Sequence, residues 1–205
     1  AGVFLKRAAR DYLQLLAQEL HGHLKAAVGD GRAALAHLNG AFQHAQRLGR
    51  DEQARHLATT CALYEARLVL KPKAAITRLR HLAIQLPDRD VFPLASVRLE
   101  LVRQYLLRRD VDQARRALEE AFRTLAGLTS RRYEVTMMVR LIDLQLATGD
   151  FAPAALLCNA AERLLDPEAD DLLAFELAAR RVTALERLRA RAGEPRLAEA
   201  WRAAR

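Results

Sequence analysis

Turn residues return along this chain at a nearly constant interval, and that interval limits the fold more than any other feature. Asp30, Lys71, Asp110, Asp150 and Glu194 are separated by 41, 39, 40 and 44 residues. Four residues after each comes an alanine: Ala34, Ala75, Ala114, Ala154 and Ala198. Four further on stand Leu38, Leu79, Leu118 and Cys158, with Arg202 breaking the series, and three more give Ala41, Leu82, Ala121 and Ala161. Alanines in register are expected where two helices cross so closely that only a methyl group fits. Self-similarity at this period predicts a row of like units stacked to bury a continuous core.

The clearest unit runs from Leu101 to Gly127. Leu101, Val102, Tyr105 and Leu106 recur at helical spacing, Arg108-Arg109-Asp110 interrupts them, and Ala114, Ala117, Leu118, Ala121 and Phe122 restart the pattern. That is a helical hairpin. The alanine, leucine and arginine that dominate the chain lose little on entering a helix, so an all-α protein is predicted throughout. Hairpins are expected over about 2–48, 51–86, 92–126, 130–165 and 168–205, the last incomplete, as one domain covering 1–205. The first helix should carry Phe4, Leu5, Tyr12, Leu13, Leu15, Leu16 and Leu20 toward a core. A single helix should run from Asp51 to Leu70. All six prolines fall in predicted turns or first turns of helices, where the missing N–H is harmless.

Thirty-three basic residues against 25 acidic give a net charge of +8, with both signs interspersed. This admits a solvated surface or a basic face that attracts acidic protein, phosphate or nucleic acid. Cys61 and Cys158 lie far apart in apolar helical contexts and read as small packing residues, which fits a reducing, cytoplasmic setting. No apolar run approaches the length of a membrane helix, so no membrane association is expected. The chain begins and ends in helix-like sequence, which suits a segment of a larger protein.

The turn between two helices, the Ala-x3-aliphatic step that follows it, Gly22, Tyr105 and the closing Pro87 together resemble the tetratricopeptide repeat family. The resemblance spans essentially the whole chain. It departs from the family in period, near forty, and in lacking its signature tryptophan. In this it is similar to the longer-helix variety in bacterial signalling proteins and the sensor regions of transcriptional regulators. The resemblance implies a right-handed α-solenoid that binds a protein or peptide, with the first helix of each pair lining the concave face. Carried over by register, the candidate contacts are His23, Thr60, Tyr64, Arg67, Arg103, Thr136, Arg180, Thr183 and Arg187, together with Glu19, Ser96, Leu99, Val139 and Asp143. The arginines among them would suit an acidic segment or phosphate. The family's carboxylate clamp needs Lys and Asn at places held here by Glu19, His23, Thr60, Tyr64, Leu99 and Arg103, so capture of a free C-terminus is not implied.

Catalytic signatures do not occur in the sequence. There is no Gly-rich phosphate loop, Gly-x-Ser-x-Gly elbow, His-Glu-x-x-His or Cys-x-x-Cys. The six histidines all precede residue 82 without metal-ligand spacing, and the adjacent pairs Glu119-Glu120 and Asp170-Asp171 point apart on a helix. No enzyme, cofactor or metal is therefore expected. The alternative to a protein partner is nucleic acid on a basic face, with Arg131-Arg132-Tyr133 and the Arg180–Arg191 run as its best local support. Self-association is also open, through Leu107, Val111 and the last hairpin with Trp201.

Overall fold

The computed structural model describes residues 2–165 and 171–191. Ala198, Trp201 and the helix expected from Arg196 lie outside them. Every regular element among the described residues is a helix, and neighbours in sequence pack in pairs. Packing separates the chain into two compact units that part inside one helix, between Glu100 and Leu101. The first unit contains α1 (Gly2–Ala27), α2 (Gly31–Arg47), α3 (Asp51–Tyr64), α4 (Pro72–Gln85) and the first half of α5 (Val91–Leu107). α1 packs on α2, α2 on α3, and α3 on α4. The second unit contains the rest of α5, then α6 (Val111–Leu125), α7 (Arg131–Thr148), α8 (Phe151–Glu162) and α9 (Asp171–Arg191). There α6 packs on α7, α7 on α8, and α8 on α9.

The alanine register is the buried seam. Ala34, Ala75, Ala114 and Ala154 are fully buried, and Leu38, Leu79, Leu118 and Cys158 four residues on are buried too. The closeness of the crossing is measurable at Gly22. A Cβ there would stand 2.6 Å from Leu38 Cγ and 3.3 Å from the Ala34 carbonyl oxygen. Around such seams the first unit gathers Leu15, Leu38, Ala41, Ala45, Ala54 and Leu57, and the second gathers Val135, Ile142, Cys158, Leu177, Ala184 and Leu188.

The turns repeat in backbone detail. The N–H groups of Asp30, Arg50, Asp110 and Asp150 each donate to a carbonyl five residues back, at 2.8–2.9 Å, which ties off the last turn of the preceding helix. The residue before each is in the left-handed region: Gly29, Gly49 and Gly149, and Arg109 with φ +58°. Asp30 and Asp110 then accept from the N–H of Ala33 and Gln113, capping α2 and α6.

Two expectations are corrected. The helix predicted from Asp51 to Leu70 leaves α geometry at Tyr64 and ends in one π turn, Glu65–Val69, in which Leu70 N–H donates to Glu65 O at 2.9 Å. Leu68 and Val69 in that turn lie against Gly31, where a Cβ would come within 2.7 Å of Leu68 Cβ. The second correction concerns α1. Leu15 is buried, but Leu13 (65% exposed), Leu16 and Leu20 (60%) face away from α2. The run Tyr12–Leu20 has leucines on both sides of the helix, and Leu15 with Gly22 takes the side that meets α2.

Candidate functional site

The residues expected to face a partner lie on the odd-numbered helices, and in each unit the structure bonds several of them to one another. In the first unit His23 Nδ1 on α1 is 2.9 Å from the Tyr64 hydroxyl on α3, with the two rings edge to face. On the same pair of helices, about one turn before His23 and three before Tyr64, Gln53 donates to Glu19 at 3.3 Å. Arg67, in the π turn, donates through Nε and Nη2 to Glu100 Oε2 of α5 at 3.2 and 2.8 Å. Glu100 is 1% exposed while the Arg67 side chain is 43% exposed. The carboxylate is thus an internal anchor, and the guanidinium reaches it from the surface. Thr60, between them on α3, is half-buried.

In the second unit Asp143 of α7 is the hub. Arg180 of α9 grips it in a fork, Nε to Oδ1 at 2.6 Å and Nη2 to Oδ2 at 3.2 Å, and Arg140 reaches Oδ2 at 3.1 Å. Arg180 also donates to Glu176 at 3.3 Å. Burial alone would lower the Arg180 pKa, but the hydrogen bond and charge of Asp143 reverse this and raise it overall, so the guanidinium stays charged. Thr183 and Arg187 follow Arg180 on the same face of α9 and are exposed. The Thr183 hydroxyl donates to its own backbone at Ala179, as Thr136 does to Arg132. Arg103 is half-buried on α5.

Leu99 and Val139, carried over as outward residues, are instead buried. Glu100 and Arg140 were missed. Glu100 carries a legible signal, an acid flanked directly by Leu99, Leu101 and Val102, since a charge buried there needs a partner. Arg131, offered as nucleic-acid support, donates to the carbonyls of Leu164 and Leu165 just after α8. Arg181 pairs with Glu162 at 3.1 Å, and Arg191 lies over the Phe151 ring and donates to Gly149 O. Much of the second unit's basic run is therefore spent on its own fold.

Both thiols are held toward the protonated form. Cys61 is pushed up to about 11 by burial and then by the charge of Glu65, and Cys158 to about 11 by burial and then by Glu162, with Arg180 and Arg181 opposing. Relative to a thiol near 9, about a hundredfold less thiolate is present near neutral pH. Alkylation of the folded protein by iodoacetamide is therefore expected to be about a hundred times slower than in denaturant. Equal rates would contradict the shielding of half-buried Cys61 and buried Cys158. His21 and His37 stack at 5.4 Å between α1 and α2, but among the described residues no group of three His, Cys, Asp or Glu is placed to hold a metal. Among those residues no helix is long and apolar enough to cross a membrane.

The chain matches no family model. No curated protein and no solved structure is significantly similar to it.

Proposed function

We propose that this chain is a tetratricopeptide-like α-solenoid that binds another protein or peptide along its first helices, as an interaction region of a larger regulator. The observation that carries the reading is the set of polar pairs joining one odd-numbered helix to the next: His23 to Tyr64, Arg67 to Glu100, and Arg180 to Asp143. Pairs of this kind align first helices side by side within each unit, as stacking of hairpins requires. They also hold the polar side chains of that face in fixed positions, which lowers the ordering cost of binding. The net charge of +8 favours an acidic partner. The engagement of Arg131, Arg180, Arg181 and Arg191 in internal contacts argues against nucleic acid in the second unit.

Selection of a random peptide library on the purified chain is expected to enrich acidic sequences. Thr183→Glu with Arg187→Glu, both on exposed positions of α9, should weaken the selected peptides about tenfold. Failure to enrich any peptide, or enrichment that these substitutions leave untouched, would remove the α9 face from the reading. Tighter binding of single-stranded RNA than of any peptide would move the function to nucleic acid.

A further inference from the structure

The second helix of the second hairpin carries a surface that the first-helix reading does not use. From Ala66 to Pro87 the sequence has Arg67, Lys71, Lys73, Arg78 and Arg80 and not one acid. The first hundred residues hold fifteen basic against nine acidic residues, so six of the eight net positive charges lie there, along with every histidine. α4 buries Ala75, Ile76 and Leu79, which turns Lys73, Ala74, Thr77, Arg78 and His81 outward. An open groove of about 700 Å³ runs along this outward side, lined by Lys71, Lys73, Ala74, Thr77, Arg78 and His81. Its walls are mostly carbon: the Ala74 and Thr77 methyl groups and the methylene stems of the lysines and Arg78. One turn beyond, Ile84 is 84% exposed. The charges at the rim are weakly committed: Arg78, itself exposed, meets the half-buried Glu65 at 3.4 Å, a long and solvent-screened pair.

We infer that the outward face of α4 docks an acidic, amphipathic protein segment, its apolar side chains in the groove and its carboxylates on Lys71, Lys73 and Arg78. This rests on the reading of the chain as a protein-binding surface but places a second contact on a different helix. The two chemistries of the groove decide the occupant. A cationic rim alone would take any polyanion, but a carbon floor gives nothing to a phosphate backbone. Among its described lining residues the groove has no Phe, Tyr or Trp, and the lone His81 ring does not make the row of platforms on which successive single-stranded bases stack. Leucine-like side chains alternating with glutamates at helical spacing satisfy floor and rim together.

The test is a fluorescence titration of the full chain with four labelled probes. These are a synthetic glutamate–leucine amphipathic peptide, its lysine–leucine counterpart, polyglutamate and oligothymidylate. The glutamate–leucine peptide is expected to bind saturably, and more tightly than the other three. Lys73→Glu with Arg78→Glu should weaken it at least about tenfold, and Lys73→Gln with Arg78→Gln by a smaller factor. Arg115→Glu with Arg116→Glu, on exposed positions of α6, should leave it unchanged. Equal binding of polyglutamate or oligothymidylate would overturn the inference, as would indifference to the α4 substitutions in variants whose circular dichroism is unaltered. Library-selected peptides that respond to Thr183→Glu with Arg187→Glu but not to the α4 variants would sink this inference and spare the first-helix reading. The reverse pattern would sink the α9 face and spare this one.

Discussion

Enlarging Ala114 to leucine is expected to destabilise the second unit by about 3 kcal/mol, and Ala34→Leu to do the same in the first. Both alanines are fully buried, four residues on Leu118 and Leu38 are buried too, and at Ala34 the carbonyl oxygen lies 3.3 Å from a Cβ built at Gly22 of α1. A seam of this kind has no slack into which three more carbons can go. Ala17→Leu, on the exposed side of α1, should change stability by no more than about 0.5 kcal/mol. Urea unfolding followed by circular dichroism separates the cases, because the midpoint moves while the slope does not. A cost under about 1 kcal/mol at Ala114 would mean that the forty-residue register does not mark tight crossings.

Removing the Asp143 carboxylate is the second large effect. Asp143→Ala leaves Arg180 and Arg140 facing each other without their shared counter-charge, and both Asp143 and Arg180 are only about one-fifth exposed. Breaking a buried pair from one side costs about 3 kcal/mol, and the Glu176 carboxylate that Arg180 keeps makes this an upper figure here. Adding Arg180→Met to Asp143→Ala should restore part of that loss, since it takes away one of the two like charges that Asp143 held together. If the double variant is no more stable than the single one, the hub is held by packing and not by charge.

How far the fold could be read in advance differs from helix to helix for a physical reason. α6 has Ala114, Ala117, Leu118, Ala121 and Leu125 on one side and charges on the other, so its buried face is plain from periodicity. α5 is apolar nearly all round, with Leu94, Ala95, Val97, Leu99, Leu101 and Val102 all buried. The register carried over from the resemblance puts Leu99 outward, and periodicity in such a helix has no direction that would place it inside, where it lies. Val139 on α7 fails for the same reason, amid Val135, Ile142 and Leu144. Asp30 and Asp110 are legible as turn residues; that each also caps the next helix, through one side chain and one N–H, is added by the structure. The contacts of the candidate face were partly legible. Register put His23 and Tyr64 on one surface, but that they bond to each other depends on the spacing between α1 and α3, which no local pattern carries.

The widened turn at Glu65–Val69 bears on how length is tolerated in this chain. Nothing in Glu-Ala-Arg-Leu-Val breaks an α-helix, yet the backbone there takes in one residue more than ordinary winding holds. The interval from Asp30 to Lys71, which contains it, is two residues longer than the interval from Lys71 to Asp110. A surplus residue absorbed as a local bulge leaves the flanking faces aimed as before, with Ala66 inward and Arg67 on Glu100. Insertions can therefore accumulate in such a chain without rotating its surfaces, and two copies of the motif can agree in space while disagreeing in count.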